Sequence, residues 1–289
     1  MSRAASLRDL LVGEVEATGF GAHGLHVRVG GSTAEHRWTP DEREEIHSVA
    51  KGVSVLAAGM ADAEGLLSLD EPISRLTGDR TLGRDVAHLT LRRLLSMSSG
   101  IDLPWSPTLM TDWPDLAAEF LSRDSRGRVF QYSNASTYTA MRLLERVVGD
   151  IEDYVRPRLL APLGLDDVDW RRCPRGHVLA GEGLALRTEE MSRIGRLLLD
   201  RGVWNGERIV PASVVDAMHG DWVPAGTNEG YERYGLGAWD GPGAAWRLHG
   251  AYGQLVILLG DAVVTVSADD HFGAGADAFA AAAVRLVEG

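Results

Sequence analysis

Residues 48–60, SVAKGVSVLAAGM, carry one charge, on Lys51. Wound at 3.6 residues per turn, the run is apolar on nearly every side, so it predicts a central helix wrapped by other elements. A chain of 289 residues is long enough to surround such a helix, as one large domain or as two subdomains sharing a cleft.

What surrounds it reads differently at the ends and in the middle. Leu25, Val27 and Val29 alternate with His26 and Arg28, the period of a half-buried strand, and a second strand over 33–39 follows the turn at Gly30-Gly31. Near the other end, 254–259 and 262–268 flank Gly260-Asp261 as a hairpin, with another strand through 246–249. Helices over about 5–17 and 274–287 open and close the chain. Between the ends lie helix signatures over 137–148, stopped by Gly149, and over 189–201, with Glu189 and Glu190 in its first turn and Gly202 after it. The expected class is α+β. An antiparallel sheet from both chain ends (1–47 and 226–289), flanked by terminal helices, meets a mostly helical insert (48–225), with a site in the cleft between them.

Lys51 has a second distinction. Of 29 Lys and Arg residues it is the only lysine. A codon bias explains 28 arginines but not the exception. Arginine cannot lose its proton in a protein and a buried lysine can, so a lone lysine marks a position that requires a titratable amine. Ser48 stands three residues before it, on the same helix face. A serine hydroxyl is a poor nucleophile until a base takes its proton, and burial lowers a lysine pKa towards that task.

Two further clusters carry chemistry. In Tyr132-Ser133-Asn134, a phenol beside an ammonium ionises more easily and can relay a proton, while Asn134 can orient both the lysine and a substrate amide. In residues 246–254, WRLHGAYGQ, a strand places Trp246 and Leu248 towards the core and Arg247 and His249 on the opposite face. The glycines at 250 and 253 allow a ligand close to backbone N–H groups.

Taken in order, these elements resemble the serine β-lactamase and penicillin-binding-protein superfamily, from Ile46 to about Ala268. Leu94–Gly100 (LLSMSSG), Gly181–Leu186 and Asn205–Val210 add to the likeness. S-x-x-K is its first signature. The Y-x-N form lies nearest the class C-like esterases and 6-aminohexanoate-dimer hydrolases and differs from the S-D-N of class A. The resemblance implies a β-lactamase-like fold with Ser48 as nucleophile and Lys51 and Tyr132 sharing its proton. It also implies an oxyanion hole from the N–H groups of Ser48 and Tyr252, and substrate contacts at Asn134, His249, Gly250 and Ala251.

One departure bears on substrate. Where β-lactamases have Lys-Thr/Ser-Gly, this chain reads His249-Gly250-Ala251, and a histidine is a weaker, pH-dependent anchor for a carboxylate. The chain is also shorter than a typical class C enzyme. Both favour a small ester or amide over a β-lactam. Arg247 is expected to return a positive charge to the cleft, and Trp105 to line it. The alternatives are a β-lactamase or D-alanyl carboxypeptidase, a penicillin-recognition module that does not turn over, and an acyltransferase.

Composition excludes other classes. A net charge of −12 argues against nucleic acid or an anionic membrane as partner. The single cysteine, Cys173, forms no intrachain disulfide. Asp9, Glu14 and Glu16 interrupt the first twenty residues, and no apolar run reaches membrane-spanning length, so a cytoplasmic protein is expected. None of the nine histidines has zinc spacing and no phosphate-binding glycine motif follows a strand, so neither a metal nor a cofactor is expected.

Overall fold

The computed structural model describes residues 1–103, 115–271 and 275–289. Helices α1 (Arg3–Thr18), α2 (Ala50–Ala63), α3 (Asn134–Val148), α4 (Thr188–Leu199) and α5 (Gly275–Glu288) are its longest. Strands β1 (Ala22–Val29), β2 (Ser32–Arg37), β3 (Val223–Pro224), β4 (Arg233–Tyr234), β5 (Trp239–Asp240), β6 (Trp246–Gly250), β7 (Gln254–Leu259) and β8 (Ala262–Ala268) form one antiparallel sheet in the order β2-β1-β8-β7-β6-β5-β4-β3. The fold is β-lactamase-like: the chain's two ends meet where Leu25 pairs with Val266 and Val27 with Val264.

Local chemistry sets these elements. Ser2 caps α1, its hydroxyl accepting from the Ala5 N–H, and Gly19 in the left-handed region closes it with an N–H to Val15 O. Ala4, Leu7, Leu11 and Val15 give α1 one buried stripe, which joins α5 and the residues Leu25, Val27, Leu255, Ile257 and Val264 in a core on one sheet face. The other face carries Val256, Leu258 and Val263 into a larger core with α2, α3 and α4. Because α4 lies across β1, β7 and β8, His26 is buried as well. The alternation in β1 therefore marks two covered faces rather than one wet face.

The apolar helix is central, as its pattern predicts, with Ala50 to Ala61 continuously buried. It starts two residues later than expected. Ser48 lies in a single 3₁₀ turn, His47–Val49, that leads into α2. Gly52 lets the helix approach the sheet: a Cβ there would stand 2.8 Å from Leu248 Cδ1 of β6. Val223–Pro224 already pairs with β4, so the sheet begins ahead of residue 226, and it takes in three two-residue strands whose lengths leave no periodicity to read. No described helix is long and apolar enough to cross a membrane.

Candidate active site

Ser48, Tyr132, His249, Gly250, Ala251 and Tyr252 line one cleft of about 510 Å³, with Glu182, Tyr231 and Trp239 among its other walls. Lys51 lies beneath it, 1% exposed. Its Nζ is 2.8 Å from Ser48 Oγ and 3.0 Å from Gly181 O, and it also meets Asn134 Oδ1. Burial lowers the Lys51 pKa to about 7, opposed by the negative charge of Glu182. Burial also pushes the Tyr132 phenol up to about 12, a hydrogen bond with Ser48 opposing the rise, so that Tyr132 keeps its proton at neutral pH.

Proton counting makes this arrangement informative. An ammonium has three N–H groups and finds three acceptors here. A neutral amine keeps two, for Asn134 Oδ1 and Gly181 O, and turns its lone pair to the Ser48 hydroxyl. The same geometry serves both protonation states, and the neutral one leaves Ser48 as the donor.

The stretches around the site hold these groups in place. Met97, within the LLSMSSG segment, takes a left-handed conformation; its carbonyl accepts from Gln131 N and its sulfur from Ser133 N. Ser136 Oγ donates to Leu94 O, so this segment anchors both sides of Tyr132. Ser133 caps α3 and thereby sets Asn134 as its first residue. Opposite, Ser54 of α2 donates to Ala180 O, and Ile46 N to Leu184 O, which fixes the strip carrying the Gly181 carbonyl.

Arg247 and His249 share a strand face, as expected, but Arg247 does not reach the cleft. It is 1% exposed, with Nη2 2.8 Å from Gly230 O, Nη1 on Gly241 O and its guanidinium over the Tyr231 ring. Those carbonyls draw it behind Tyr231 and away from the cleft. His249 is not the pH-dependent cation expected: burial and the nearby Arg247 charge lower its pKa to about 3. Trp105 lies outside the described residues. The tryptophan on the cleft wall is Trp239, stacked on Tyr132 at 5.7 Å and edge-on to Tyr231 at 4.9 Å.

Tyr252 adopts a left-handed backbone (φ 62°), as does His47 (φ 48°) beside Ser48, and the two rings, both in the cleft wall, meet edge-to-face at 5.0 Å. Left-handed backbone at non-glycine residues is strained, and here it flanks both expected oxyanion N–H groups. Glu182, Tyr231 and Trp239 escaped the sequence reading. Glu182 sits within Gly181–Leu186, read only as a stretch similar to the superfamily, while Tyr231 and Trp239 fall among short strands without pattern.

Three comparisons bear on this site. The family model described as Beta-lactamase matches residues 8–286. A 6-aminohexanoate-dimer hydrolase from Paenarthrobacter ureafaciens is 26% identical over 217 residues, 67% of this chain and 55% of that protein. A monacolin J acid methylbutanoyltransferase from Aspergillus terreus is 27% identical over 188 residues, 55% of this chain and 45% of that protein. The chain thus spans about half the length of these curated relatives. Among solved structures, D-amino acid amidase from Ochrobactrum anthropi SV3, complexed with L-phenylalanine amide, superposes with a TM-score of 0.77. It is 17% identical, covering 98% of this chain and 99% of that one, a likeness of fold.

Proposed function

The chain belongs to the beta-lactamase family, and from that premise we propose that it is a serine hydrolase acting through an acyl-enzyme on a small ester or amide. The observation that carries this reading is the contact of 2.8 Å between Lys51 Nζ and Ser48 Oγ, at an amine whose pKa is about 7. A lysine lowered this far by burial has its neutral form within reach at neutral pH, as a general base requires.

Ser48 Oγ attacks the carbonyl carbon while its proton passes to Lys51 Nζ. The carbonyl oxygen becomes an oxyanion, held by the N–H groups of Ser48 and Tyr252. Tyr132 gives its proton to the leaving group and is reprotonated from Lys51. The C–O or C–N bond then breaks to leave acyl-Ser48. Water attacks the ester, giving its proton back through the same pair, and the acid leaves with Ser48 restored. Asn134, buried beneath the cleft, holds Lys51 through its Oδ1 while its Nδ2 donates to Glu182 at 3.3 Å, so it positions the base rather than touching the substrate as expected.

A fluorophosphonate probe tests this reading by labelling Ser48, with labelling and turnover both lost in Ser48→Ala. Labelling that persists on another serine of that variant overturns it. A second reading has its own support in the methylbutanoyltransferase relative: the acyl group passes to an alcohol or amine in place of water. Product release that depends on an added acceptor would favour it.

A further inference from the structure

The two N–H groups expected to hold the oxyanion sit on strained backbone. The Ser48 N–H belongs to the peptide that leaves His47, and Tyr252 carries the other itself. Left-handed residues such as these two persist only where their surroundings over-determine them.

What holds Tyr252 comes from the strip that follows β8. The Tyr252 carbonyl accepts from Asp270 N at 3.0 Å, and its ring lies 3.8 Å, centroid to centroid, from that of His271. His271 Nε2 in turn is 2.6 Å from Asp269 Oδ1. A carboxylate only accepts, so Nε2 carries a hydrogen and the imidazole is tied at that atom. The strip is itself fixed: Asp269 N donates to Gly21 O ahead of β1, and Asp270 Oδ2 accepts from Gly275 N at the start of α5. Because the Tyr252 ring also meets His47, one side chain joins the residues that set both donors.

Neither Asp269 nor His271 is among the described residues that line the cleft, and their side chains are 56% and 44% exposed. An ion pair so open contributes little to global stability, so a change there is read in the site and not in unfolding.

We propose that Asp269 and His271 are positioning residues for the oxyanion hole: the pair fixes the His271 ring against Tyr252 and thereby aims the Tyr252 N–H. This rests on the serine-hydrolase reading, in which the Ser48 and Tyr252 N–H groups receive the carbonyl oxygen. Charge on that oxygen develops only in the transition state, so the pair acts on kcat and leaves KM nearly unchanged.

The test varies the receiving atom. p-Nitrophenyl acetate is compared with its thiono analogue, in which C=S replaces C=O, each rate divided by that of its hydroxide reaction. Sulfur is larger and accepts hydrogen bonds weakly, so it gains less from a well-aimed donor. The wild type should prefer the oxygen ester by roughly 10- to 100-fold in kcat. His271→Ala should lower that ratio by roughly tenfold at near-constant KM. His271→Phe and Asp269→Ala each keep a ring against Tyr252 without the tie, and both should fall between His271→Ala and the wild type. A mere loss of folded enzyme lowers both substrates alike and leaves the ratio unmoved. Where an acetate is not turned over, the ratio is read from the rates at which a fluorophosphonate and its P=S counterpart label Ser48. A ratio unchanged in His271→Ala, or a wild-type ratio in Asp269→Ala, overturns the proposal while the hydrolase reading stands. Absence of any Ser48 labelling in the wild type overturns that reading, and the proposal with it.

Discussion

Gly250 faces the backbone of Ser48 so closely that a Cβ at position 250 would stand 3.2 Å from Ser48 N and collide with Ile46 O. His249-Gly250-Ala251 is therefore seated directly on the turn that carries the proposed nucleophile, with no room for a side chain at position 250. The obstruction is backbone, which cannot swing aside.

Gly250→Ala should move the 3₁₀ turn, and with it the Ser48 N–H. An expected loss of 100-fold or more in kcat corresponds to about 3 kcal/mol, the scale of one oxyanion donor. A near wild-type kcat with a chromogenic ester would show that the contact yields without cost.

Lys51→Arg retains a cation but cannot supply a lone pair, so kcat/KM should fall by roughly 10²- to 10⁴-fold. Circular dichroism and the melting temperature separate this from misfolding. Substantial turnover in a folded variant would mean that titration of the amine is irrelevant.

The pH–rate profile should follow the same group. Lys51 works deprotonated, so kcat/KM rises as pH rises through about 7 and levels above it. Glu182 opposes the lowering, so Glu182→Gln should move this limb to lower pH. The folded value lies below the ordinary lysine value of 10.5, hence the unfolded chain holds the extra proton between about 7 and 10.5, and stability gains with pH in that window. Lys51→Met should remove that component of the slope; an unchanged slope in chemical denaturation at pH 7.5 and 9.5 would contradict the assignment.

Nitrocefin hydrolysis should not increase as pH falls to 6, because His249 stays neutral down to about 3 while Lys51 takes up a proton. An increase towards pH 6 would reinstate His249 as a cationic anchor for carboxylates.

Gly52→Ala places a methyl 2.8 Å from Leu248 Cδ1. Overpacking between α2 and β6 should cost about 1–3 kcal/mol, measured by urea denaturation. A stabilised variant would mean that the Leu248 side chain turns aside freely.

The long elements were legible because each repeats a period over enough residues. The two strands of the 254–268 hairpin fall where their patterns place them, and the terminal helices and the apolar helix after Ser48 fall within a few residues of theirs. The lone lysine pointed to the residue that meets Ser48 Oγ, Asn134 Oδ1 and Gly181 O. What escaped depends on distance across the fold. Arg247 shares a face with His249, yet its destination is set by the carbonyls of Gly230 and Gly241, which no alternation within β6 encodes. The setting of His249 is equally remote: its Nδ1 meets the Tyr231 hydroxyl, which donates to Asp277 in the last helix.

The pairing of Leu25 with Val266 has a consequence for the order of synthesis. A ribosome releases β1 more than 200 residues before β8, so the seam between these two strands stays open until β8 has emerged. β1 and the β1–β2 hairpin must wait with an unpaired edge, which is exposed to association with other chains in the interval. Contacts of such long sequence separation also make folding slow. Asp277 follows β8, so the Tyr231 hydroxyl gains its acceptor later still, and a nascent chain arrested before β8 would carry Ser48 and Lys51 without the completed sheet behind them.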